Sequence, residues 1–92
     1  MNQQRFALGR IVATPGAVEA LAASGDDPFV YIGRHAAGDW GEICAEDARE
    51  NDLSVKLGFR ILSVYRLSDS TKLWLITEAD RSATTFLLPD EY

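Results

Sequence analysis

Apolar positions along the chain fall into two regimes. From Phe6 to Ala13, FALGRIVA alternates with period two: Phe6, Leu8 and Val12 share one parity, Ala7, Ile11 and Ala13 the other. That spacing predicts a strand, with Gly9 allowing a bulge. The period then lengthens. Thr14-Pro15 combines a capping hydroxyl with a proline at the first helical position, where its missing N–H costs nothing. Val18, Leu21 and Ala22 supply a short stripe, and Ser24-Gly25 ends it. Asp27-Pro28 repeats the start signal; Phe29, Ile32 and Ala36 keep helical spacing up to Gly38. A third helix is predicted from about Ala45 to Leu57, stopped by Gly58, with Glu46 and Asp47 at the positive end of its dipole. Its apolar side is thin (Ala48 and Val55, with Leu53 and Leu57), which places it on the surface.

The last third alternates again. FRILSVYRL (Phe59 to Leu67), KLWLITE (Lys72 to Glu78) and Ser82 to Leu88 read as three strands joined by short turns, with Pro89 ending the pairing. A two-residue loop at Asp69-Ser70 sets Tyr65 opposite Trp74 and Val64 opposite Leu75. In that register Ile61, Tyr65, Trp74 and Ile76 share one face, and Leu62, Val64, Leu73 and Leu75 the other. The expected fold is α+β: an N-terminal strand, two or three short helices and a C-terminal three-stranded antiparallel meander. The first strand joins to give one four-stranded sheet with helices on one face. Both sheet faces are then apolar. The uncovered one, around Trp74, calls for a homodimer or for cover by the N-terminal strand or Pro89–Tyr92.

Ninety-two residues hold one domain, 1–92, with one core. A net charge of −5 argues against binding nucleic acid by phosphate neutralisation and against docking on anionic lipid. One cysteine, Cys44, cannot close an internal disulfide. With no signal peptide and no long apolar run, the expected location is the cytoplasm.

Candidate chemistry concentrates in HAAGDWGEICAEDARE, which holds the single histidine, the single cysteine and five carboxylates. His35 with Asp39 and Glu42 lacks a recognised catalytic spacing, so a helix-end histidine answering the local dipole is the simpler reading. Gly38-Asp39-Trp40-Gly41 reads as a tight turn in which Trp40 either plugs the core or stands out as an anchor. Cys44 sits among acids that raise a thiol pKa, so a buried or half-buried structural role is expected. One histidine and one cysteine do not make a zinc site, and no calcium loop is present; neither metal nor other cofactor is expected. From Asp39 to Asp52 six carboxylates (Asp39, Glu42, Glu46, Asp47, Glu50, Asp52) face one Arg49. They form either a solvated face or a row imitating phosphates for a basic protein partner. Arg81, in TEADRSATT, either locks its turn by pairing with Glu78 or Asp80, or binds a small anion.

The segments LGRIVATPGA, RHAAGDWG, FRILSVYRL and ITEADRSATTFLLPDEY together resemble a family of small bacterial proteins labelled hypothetical or plasmid-related. The likeness spans nearly the whole chain, and only the Asp69-Ser70 turn departs from the expected Asp-Gly. The resemblance implies a bacterial setting and a link to mobile elements; it brings no catalytic residues. The expected function is a non-enzymatic interaction protein that modulates or inhibits a protein partner through an acidic surface. The alternative is a small hydrolase-like enzyme or ligand-binding module centred on His35, Asp39 and Arg81.

Overall fold

The computed structural model describes residues 3–92 and is α+β. Strand β1 (Arg10–Ala13) leads into helices α1 (Pro15–Ser24), α2 (Pro28–Ala36) and α3 (Ala45–Leu57). Strands β2 (Ile61–Arg66), β3 (Lys72–Thr77) and β4 (Ala83–Leu87) follow, and a 3-10 turn at Pro89–Glu91 closes the chain. The helix boundaries obey the capping chemistry. Thr14 Oγ1 accepts from the Ala17 N–H at 3.2 Å, Asp27 Oδ1 accepts from the Phe29 N–H at 2.9 Å, and Gly25 and Gly58 end α1 and α3 at φ 75° and 80°. Among the described residues no helix is long and apolar enough to cross a membrane.

The sheet runs β1-β4-β3-β2. β2, β3 and β4 form the expected antiparallel meander, but β1 pairs with β4 in parallel, so the sheet is mixed. β1 is also shorter than its alternation suggests. Gly9 turns at φ 65°, where a side chain would run into the Ser82 backbone, and Phe6 is tucked separately into the core.

The β2–β3 register differs by one residue from the sequence expectation: Tyr65 pairs with Leu73 and Val64 with Trp74. The loop is three residues long rather than two. The Ser70 N–H donates to the Leu67 carbonyl at 2.8 Å, and Ser70 then takes the left-handed conformation at φ 75°. A turn followed by a left-handed residue is the usual three-residue hairpin. One residue of slip exchanges the faces of a whole strand. Ile61, Ser63, Tyr65, Leu73, Leu75, Thr77, Thr84 and Phe86 therefore point together towards α1 and α2, and all are buried. Trp74 lies on the opposite face from Tyr65. There the chain's own end covers it: the Tyr92 ring stands edge-on to Trp74 at 5.6 Å. Glu91 is clasped by the Thr14 hydroxyl and by the Gly16 N–H at 3.0 Å.

Helices do not all lie on one face. In α2 the inward side is Tyr31, His35 and Ala36, while Phe29, expected inside, is 75% exposed. α3 lies along the outer edge of β2, where the Asn51 amide takes the place of a strand. Its Nδ2 donates to the Leu62 carbonyl at 2.7 Å, and its Oδ1 accepts from the Leu62 N–H at 3.3 Å. Further along that edge Val64 exchanges bonds with the Trp40–Glu42 backbone at 3.0 and 2.7 Å. Gly41 permits this approach, since any side chain there would meet the Val64 carbonyl.

Candidate functional site

The sequence candidates separate into three places. His35 and Trp40 are in the core, which makes Trp40 the plug rather than the anchor and withdraws His35 from any binding surface. His35 does sit in the last turn of α2, but its ring turns inward and is 0% exposed. Nδ1 lies 2.5 Å from Ser63 Oγ and Nε2 lies 2.8 Å from Thr77 Oγ1. Thr77 Oγ1 meets Thr84 Oγ1 at 2.7 Å, and the Thr84 hydroxyl donates to the Leu8 carbonyl at 2.7 Å. That last bond orients the whole chain. A carbonyl only accepts, so Thr84 spends its single proton on Leu8 and accepts from Thr77. Thr77 then accepts from Nε2–H, leaving Nδ1 to accept from Ser63. The imidazole is neutral, with its proton on Nε2, and burial pushes its pKa down from 6.5 to about 4. Phe6 and Trp40 close over it edge-on, at 5.2 and 5.9 Å.

Trp40 is a core plug, 6% exposed, with Nε1–H donating to Asp52 Oδ1 at 3.2 Å. Asp39 makes no pair with His35. Its carboxylate is held by Arg34 Nε at 2.7 Å, and this hydrogen bond keeps it below the usual carboxylate range. It also accepts from the Gly41 N–H at 3.2 Å, the turn expected of GDWG. The Asp39 carbonyl accepts from the buried Tyr65 hydroxyl at 2.6 Å. The proposed His35–Asp39 centre is therefore not assembled.

Arg81 is likewise committed, though not to the carboxylates expected. At φ 61° its guanidinium donates to the carbonyls of Phe59 and Ser54, both at 2.8 Å, and of Glu78 at 3.1 Å. It ties the β3–β4 turn to the end of α3 through both Nη nitrogens. Cys44 is exposed rather than buried, and its sulfur caps α3 by accepting from the Asp47 N–H at 3.5 Å.

The acidic run also divides. Glu42 pairs with Arg66, whose hydrogen bonds lower its pKa, and Asp52 serves Trp40 and lies 3.7 Å from Arg5. Glu46, Asp47 and Glu50 remain exposed on α3, without an ion pair among the described residues. Helical spacing puts Glu46, Glu50, Leu53 and Leu57 on one stripe. Leu53, Leu57 and neighbouring Phe59 are all more than half exposed. Beside them lies an open cleft of about 480 Å³, lined by Glu50, Leu53, Ser54, Leu57, Phe59 and Arg60. The apolar half of this surface was written in the thin apolar side of α3, which has more leucine than its contact with β2 consumes. Among the described residues no three histidine, cysteine or acidic side chains gather as metal ligands.

Among the described residues, fold and surfaces define a small α+β domain with a locked polar core, an α3 stripe and an apolar groove beside β1. No family model, curated protein or solved structure matches the chain.

Proposed function

We propose that this chain is a non-enzymatic interaction protein of bacterial mobile elements that modulates a protein partner through the outer side of α3. The observation that carries the reading is the stripe itself: exposed carboxylates at Glu46, Asp47 and Glu50 run directly into bare apolar side chains at Leu53, Leu57 and Phe59. Carboxylates alone are an ordinary solvated face. Joined to an apolar patch, they match a basic amphipathic segment, whose apolar side supplies burial and whose charges steer the approach. The mobile-element setting comes from the sequence resemblance. The commitment of His35, Asp39 and Arg81 to internal bonds speaks against the hydrolase-like alternative.

Affinity capture from a bacterial lysate tests the reading with two double variants beside the wild type. Glu46→Gln/Glu50→Gln is expected to weaken capture most at low salt, because exposed charges are screened as salt rises. Leu53→Ala/Leu57→Ala is expected to weaken it at all salt concentrations. Identical recovery by all three proteins, each with an unchanged denaturation midpoint, rejects the α3 surface.

A further inference from the structure

We infer that β1 is the seat of a two-fold homodimer, in which two sheets join edge to edge into one of eight strands. The inference concerns the far side of the molecule from α3 and stands whether or not α3 binds a partner.

The two outer edges of the sheet are treated differently. That of β2 is sealed by Asn51 and by Trp40–Glu42. That of β1 is bare. The Arg10 and Thr14 N–H groups donate to Ser82 and Phe86 of β4, both at 3.0 Å. By strand alternation Ile11 and Ala13 turn their N–H and C=O groups away from the sheet. β1 is short and carries one charged side chain, Arg10, but no proline, lysine or bulge blunts its edge. Beside it lies an apolar groove of about 410 Å³ whose lining includes Ile11, Val18, Leu21 and Phe86 and no charged residue. Phe29, the most exposed large apolar side chain, stands on its rim.

A second copy fits this edge by register and by charge. Antiparallel pairing centred on Val12 sets Ile11 of each copy against Ala13 of the other, giving four backbone hydrogen bonds. The large Ile11 then meets the small Ala13 on the helix side. Above them Val18 and Phe29 of one copy face their counterparts. On the other side, Arg10 falls opposite Thr14 of the second copy. Thr14 and Gly16 are the residues that hold Glu91. Arg10 has no ion pair among the described residues of its own chain. The pairing supplies one, twice, by symmetry.

Light scattering on the purified full chain at tens to hundreds of micromolar tests this. The expected mass is twice the chain's 10.1 kDa. Ala13→Pro removes an outward N–H and no bond to β4, and is expected to give a monomer with an unchanged circular dichroism spectrum. Arg10→Glu and Glu91→Arg are each expected to be monomeric alone, because like charges then meet at both contacts, and to dimerise when mixed. A monomeric wild type overturns the proposal. So does a dimer that survives Ala13→Pro, or charge variants whose association does not depend on mixing; either result places the contact elsewhere.

Discussion

At the β2 edge, every outward backbone group from Leu62 to Val64 has a partner supplied by the chain, either the Asn51 amide or the strand-like Trp40–Glu42 segment. At the β1 edge the equivalent groups of Ile11 and Ala13 have none among the described residues. The same contrast runs into the interior. Beneath β2, Trp40, Phe6 and Ile61 form a packed cluster beside the fully bonded His35 seam. Beneath β1 the packing stops short, and an apolar groove opens between the strand, α1 and α2. A small domain does not have helices enough to cover both ends of a four-stranded sheet. This one spends α3 on β2. What is left bare is therefore where association is gained at least cost to the folded monomer.

The sharpest way to break the contrast is to unseal β2. Trp40 holds the 40–42 segment against Val64 from inside. Trp40→Ala is expected to cost about 3–5 kcal/mol, the usual loss for deleting a buried aromatic, read from urea denaturation. Amide exchange at Val64, whose N–H donates to the Trp40 carbonyl, should accelerate in step. A loss below about 1 kcal/mol would show that the backbone pairing holds without the indole.

A smaller effect comes from the imidazole under the same half of the sheet. His35 has a folded pKa of about 4 against an ordinary 6.5. Between those values the unfolded chain binds a proton that the native core refuses. Stability from this group is complete above 6.5 and is lost as pH falls towards 4, by roughly 3 kcal/mol in all. Comparison of urea midpoints across that window checks it. His35→Gln is expected to lower stability at neutral pH but to flatten the slope between about 5 and 6.5, above the range in which carboxylates take up protons. An equal slope in both proteins would place the titrating group elsewhere.

How far the sequence could be read follows from where its signals are local. Thr14-Pro15, Asp27-Pro28, Gly25 and Gly58 act within one helical turn, and the helices begin or end where those residues say. The GDWG turn is similarly local. The hairpin register was not legible, because Asp-Ser gives no warning that Ser70 will adopt a left-handed conformation. That one residue hid the site logic as well. With Ile61 and Tyr65 assigned to the uncovered face, Ser63 between them could not be recognised as an inward hydroxyl meeting His35 together with Thr77. The parallel pairing of β1 had no local signal either, since it depends on how three helices bring the first strand back beside the last. The fate of the charged candidates depended on contacts made through the fold: Asp39 with Arg34, Glu42 with Arg66, and Arg81 with four carbonyls, two of them on the distant Ser54 and Phe59.

The smallest effect on the isolated fold is expected at the open edge. Ile11 is 42% exposed, so Ile11→Thr removes little buried area. In dilute protein it should change the unfolding free energy by less than about 0.5 kcal/mol, as surface substitutions usually do. Concentration makes the difference visible. A dimer is stabilised by mass action, so the wild-type melting temperature should climb as protein concentration rises. For Ile11→Thr the climb should be shallower, because the branched side chain packed against Ala13 of the second copy now carries a hydroxyl into the contact. Melts over a hundredfold range of concentration separate the two contributions: the dilute limit reports the monomer and the slope reports the edge. Parallel slopes for the two proteins would mean that Ile11 lies outside any contact, and that the bare edge of β1 is as unpartnered in solution as it is in the monomer.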